Sequence, residues 1–61
     1  MKIRVIAKFS KPGNAENFIY GAHATTGKML RIFMGDDQLF WVVTMADGER
    51  LLRGGLEEWP G

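Results

Sequence analysis

The sequence predicts a small, mainly β domain: an antiparallel meander of about five strands, curled into a barrel or sandwich, with a short C-terminal helical turn. Three observations predict it. Two dense apolar runs, Lys28–Met34 and Leu39–Met45, flank Gly35-Asp36-Asp37-Gln38, four residues that all favour a turn. The N-terminal stretch Lys2–Phe9 alternates apolar and polar side chains. Asp47-Gly48 stands between two strand-compatible flanks, and Asp-Gly is a strong hairpin signal because both turn positions need positive φ.

In the first strand, Ile3, Val5, Ala7 and Phe9 share one face and Lys2, Arg4 and Lys8 the other, with only Ile6 out of pattern. That reads as a half-buried strand with a basic outer face. Ser10-Lys11-Pro12-Gly13-Asn14 stops it, since proline lacks the amide donor and Gly-Asn favours turning. Ala15–Thr25 fits two periods. As a strand, Phe18, Tyr20, Ala22 and Ala24 lie opposite Ile19, Gly21 and His23. As a helix capped by Asn14, Ala15, Phe18, Ile19 and Ala22 form one stripe and Gly27 lies near the C-cap. The internal Gly21 and the β-branched Thr25-Thr26 favour the strand.

Thr26-Gly27 reverses the chain into the central hairpin, whose strands are apolar on both faces, as suits strands covered on two sides. After Asp47-Gly48, Glu49–Arg53 returns as a fifth strand. The rival reading is a helix over residues 45–53 capped by Thr44, with Asp47 in its first turn and Gly48 awkwardly inside. The α+β alternative thus makes residues 15–25 or 45–53 helical. Gly54-Gly55 breaks the chain, and Leu56–Trp59 makes one helical turn that lays Trp59 on the core.

A chain of 61 residues forms one domain. Domains this small usually add disulfides, a metal or a partner subunit. There is no cysteine and a single histidine, so no disulfide and no thiolate metal site is expected, and a homodimer is. The apolar content of 46% argues against disorder. Leu39–Val43, the longest apolar run, is too short to span a bilayer, and MKIRVIAKF lacks the continuous apolar segment of a signal peptide. A cytoplasmic protein without a membrane segment is expected.

No motif carries catalysis. Gly21-Ala22-His23-Ala24-Thr25-Thr26-Gly27-Lys28 approaches a phosphate-binding loop, but five residues separate the glycines where the pattern needs four, and Met29 follows the lysine instead of Ser or Thr. His23 has no carboxylate near it in sequence, Ser10 lies in a loop, and Asp36-Asp37 reads as a solvated turn. The chain is therefore expected to be no enzyme and to need no cofactor.

Charge is unevenly spread. Residues 1–35 hold six basic residues against Glu16, a net +5, and residues 36–61 hold two against six acids, a net −4. The basic half suggests a nucleic-acid surface of Lys2, Arg4, Lys8, Lys11 and Arg31, with Tyr20 and Phe33 as stacking rings. Against it stand the low net charge of +1 and the absence of a nucleic-acid signature. The favoured expectation is non-catalytic binding of another protein or of a second copy, because four Met, four Phe, two Trp and one Tyr are hard to hide in so short a chain. Phe40, Trp41 and Trp59 are the candidates for that interface. In size, lack of cysteine and β-rich make-up the chain resembles the small inhibitors that phages and mobile elements encode, such as anti-CRISPR proteins. That resemblance rests on no particular residue and implies an inhibitor of a host system.

Overall fold

The computed structural model describes residues 3–60 and has four antiparallel strands and two helices, in the order β1 (Ala7–Phe9), α1 (Pro12–Thr26), β2 (Leu30–Met34), β3 (Phe40–Thr44), α2 (Met45–Arg53) and β4 (Glu58–Trp59). This α+β fold overturns the five-stranded meander. Residues 15–25, read first as a strand, and residues 45–53, read first as the Asp47-Gly48 turn and a fifth strand over Glu49–Arg53, are helical, and Leu56–Trp59 is not a helical turn. The strands lie in the order β1-β3-β2-β4, which is neither a barrel nor a sandwich.

The central hairpin is present, with shorter strands than read: Leu30–Met34 and Phe40–Thr44, Met45 opening α2. Ile32 pairs with Val42 and Phe33 with Trp41, and the turn closes through the Gln38 amide donating to the Gly35 carbonyl at 3.1 Å. Consecutive strand residues point to opposite faces. Ile32 and Val42 therefore pack with Ala15 of α1 on one face, while Phe33 and Val43 pack with Leu51 of α2 on the other. The hairpin is apolar on both sides because a helix covers each. The connections β1-α1-β2 and β3-α2-β4 step the same way along the sheet from strands of opposite direction. Helices on opposite faces give both crossovers one hand, as sheet twist demands.

In α1 the sequence satisfied both periods, and tertiary packing chose the helix. Ala15 is fully buried against the sheet, Ile19 packs beside it, and Phe18 sets its ring 5.6 Å from that of Phe9. Lys11, not Asn14, is the N-cap; it makes no side-chain bond, and Pro12 follows where its fixed φ suits a first turn. The Thr25 and Thr26 hydroxyls donate back to the Gly21 and Ala22 carbonyls at 2.9 and 2.7 Å, which accommodates the β-branched pair at the helix end. Gly27 ends the helix at φ 73°, its amide donating to the His23 carbonyl.

In α2 the Thr44 side chain accepts the Asp47 amide at 3.2 Å. Asp47 in the first turn and Arg50 and Arg53 in the last complement the helix dipole. Gly48 is not a turn residue. A Cβ there would lie 2.7 Å from Cδ of Arg31 and 3.0 Å from Cε1 of Phe33. Glycine is what lets α2 approach the sheet, and the Asp-Gly hairpin signal was misleading for that reason.

The first strand is also reshaped. The Ile6 amide donates to the Val42 carbonyl although Val42 is already the partner of Ala7, so two residues oppose one. Such an extra residue flips the alternation. Ile3 and Val5 accordingly pack on the α2 side, Ala7 and Phe9 on the α1 side. The four apolar residues expected on one face are divided between two, and Ile6 is left 42% exposed.

Candidate functional site

Between α1 and the β2–β4 edge runs a groove of about 220 Å³. Its floor is Ile19, Leu30 and Ile32, its walls are Tyr20 on the helix and Trp59-Pro60 on the last strand, and Glu16 stands one helical turn before Tyr20. The crossover geometry makes it. Helix α1 meets the sheet through Ala15 and Ile19, and β4 has only two residues, so the helix and the edge strand leave a gap. Tyr20 is 74% exposed. Trp59 is half-buried, its ring meeting that of Phe40 edge-on at 5.4 Å between centroids. That contact fixes Trp59 from behind and leaves its rim to the groove.

Arg31 and Glu58 also border the groove, but their side chains meet on the α2 side of the sheet. Arg31 donates from Nε to Glu58 Oε2 at 2.8 Å and from Nη2 to Glu58 Oε1, a bidentate pairing, and from Nη1 to Glu49 Oε1 at 3.0 Å. These bonds tie β2 to β4 and α2. Arg31 holds the Glu58 carboxyl below its ordinary range, and Glu58 raises the guanidinium further above its already high value. Glu16 has no hydrogen bond or ion pair among the described residues.

The residues named from sequence are scattered. Tyr20, Arg31 and Trp59 come together at the groove. Phe33 is fully buried on the α2 side and has no face to offer a base. Arg31 is a structural cation, its side chain 12% exposed and shared by two carboxylates. Lys8 pairs with Asp37 at 3.0 Å and sits 4.8 Å from the centre of the Trp41 ring, whose Nε1 donates to the same carboxylate at 2.9 Å. Burial pushes the Asp37 carboxyl up, but the bonds from Lys8, the Leu39 amide and Trp41 outweigh it and hold it low. Lys11 caps α1. Arg4 and Lys28 share a second depression of about 390 Å³ with Val5, Ile6 and Thr44. Lys2 lies outside the described residues. The bulge at Ile6 is what disperses the basic strand, turning Arg4 and Lys8 to opposite faces.

Phe40 and Trp41 likewise face opposite sides of the sheet, so with Trp59 they do not form one surface. Sequence reasoning missed Glu16, Ile19, Leu30 and Pro60. Glu16 carried one signal: it is the sole acid in the first 35 residues. Among the described residues, no helix is long and apolar enough to cross a membrane. Comparison with protein families, curated proteins and solved structures finds no match.

Proposed function

We propose that the protein is a non-catalytic binding module that contacts another protein through the groove between α1 and β4. The observation that carries this reading is the union of Tyr20 and Trp59 in one concave, apolar-floored site. Tyr and Trp are the residue types that most often anchor protein interfaces, and they do so in pockets that exclude water. At about 220 Å³ the groove is smaller than the ~300–1,000 Å³ of small-molecule sites and suits side chains of a partner. Inhibition of a larger host assembly is a role that fits so small a binder. The dispersal of the basic residues weighs against a nucleic-acid surface.

The test is affinity capture with wild type, Tyr20→Ala and Lys11→Ala, alongside gel-shift titrations at two salt concentrations. A protein retained by wild type and Lys11→Ala but lost by Tyr20→Ala is the expected result. Nucleic-acid binding that weakens steeply with salt and with loss of Arg4 and Lys28 would replace this reading. Self-association is checked separately: a homodimer gives a species of twice the 6.9 kDa chain mass in micromolar sedimentation, and a clean 6.9 kDa species removes it.

A further inference from the structure

The groove is acidic although the chain as a whole is basic. The charged residues that line it are Glu16, Arg31 and Glu58, and the Arg31–Glu58 pair meets on the α2 side of the sheet, where Arg31 also bonds Glu49. Arg31 and Glu58 neutralise each other, so the residues that line the groove carry a net −1, which is the charge of Glu16. Glu16 is the member with no partner among the described residues. It stands on the same helix face as Tyr20, four residues away, a spacing that places both side chains on one side of the groove. Trp59 faces them from β4.

From these observations we infer that the groove receives a cationic side chain, an arginine or lysine, presented by the partner protein. The reasoning is electrostatic and geometric. An aromatic face attracts a cation within roughly 6 Å of the ring centre. A carboxylate beside it supplies a charge-assisted hydrogen bond. The aliphatic stem of Arg or Lys would lie on Leu30 and Ile32 while the charged head meets Glu16, so both halves of the side chain are matched. A neutral polar side chain could meet Glu16 only with an uncharged, weaker hydrogen bond, and an acidic one would be repelled. This inference rests on the protein-binding reading of the same groove and adds the chemistry of what enters it.

The experiment pans a displayed random-peptide library against the full chain, in parallel with Tyr20→Ala, and then measures the best peptide against Glu16→Gln. Both substituted positions are exposed, so the fold is retained. The expected outcome is a wild-type-dependent consensus with a fixed Arg or Lys. Its affinity should fall at least tenfold on Tyr20→Ala, as for an aromatic interface anchor, and roughly three- to tenfold on Glu16→Gln. A Tyr20-dependent consensus fixed on an apolar or acidic residue overturns the cationic ligand while leaving the groove a protein-binding site. No Tyr20-dependent consensus overturns both.

Discussion

Each helix carries a glycine in its interior, and the two glycines stand in opposite surroundings. Gly48 of α2 is buried, and a Cβ there would strike Arg31 and Phe33; Gly21 of α1 faces open space, with nothing within 4 Å of where a Cβ would be. The rest of each helix follows the same contrast. Helix α2 is capped by a side chain, has charges matched to its dipole, and closes on the sheet over Arg31, which bonds Glu49 of the helix. Helix α1 has no side-chain cap and no acid in its first turn, and it leaves a groove along one flank. One face of the sheet is specified by many fixed interactions. The other is held by apolar packing of α1 on β1, β2 and β3 and carries the candidate site.

The largest expected effect tests the tight side. Arg31→Ala leaves Glu58 and Glu49 without their cation and removes the packing under Gly48. Complete burial would make this about 3–5 kcal/mol; the partial exposure of both carboxylates brings the expectation to about 2–3 kcal/mol. A domain of this size holds only roughly 3–9 kcal/mol in total, so urea denaturation at pH 7 will show a large loss. Because Glu58 titrates below its ordinary value near 4.5, its stabilisation is complete above that pH and is lost as pH falls through the lower folded value. Arg31→Ala therefore also flattens the acid slope of stability, leaving the part due to Asp37. An unchanged slope would remove Glu58 from this account.

Gly48→Ala comes next. Overpacking a filled site costs about 1–3 kcal/mol, set against up to ~1 kcal/mol of helix propensity, so a net loss of about 1–2 kcal/mol is expected. The same change at Gly21 should stabilise by about 1 kcal/mol, since it gains propensity and meets nothing. Thermal denaturation of the pair is the sharpest form of the comparison: equal signs would dissolve it. Nothing in the packing of α1 explains why residue 21 is glycine.

These positions also show why the sequence was legible only in part. The hairpin was readable because Gly35–Gln38 and its flanks give local turn chemistry and dense apolar runs that agree. Residues 15–25 were not, because Ala15, Phe18, Ile19 and Ala22 fit a helical stripe while the same window also alternates, and the decision lay with a sheet assembled from distant strands. Asp47-Gly48 failed differently: a glycine required by close packing cannot be told locally from one required by a turn. Ile6, the single residue out of pattern, marked the bulge that divides the first strand. Of the site, Tyr20 and Trp59 were visible as separate aromatics. Their meeting depends on a two-residue edge strand placed by a crossover, and no local pattern encodes that.

The smallest effect lies in the turn that belongs to neither side. Gln38 sits at φ 65° in the left-handed region, where an L residue costs about 1–2 kcal/mol. The turn needs that conformation at that position, and glycine or asparagine is the usual occupant. Gln38 is exposed, and the bond that closes the turn comes from its backbone amide, so its side chain is not required there. Gln38→Gly relieves the strain but loses more chain entropy on folding, by roughly 0.5–1 kcal/mol. The net expectation is stabilisation of about 0.5–1 kcal/mol. Because the turn is remote from both helices, this gain should add unchanged to Arg31→Ala and to Gly21→Ala alike. If it adds to one and not the other, the two faces do not share a single cooperative unfolding transition, and the contrast between them becomes one of separate folding units instead of unequal packing within one.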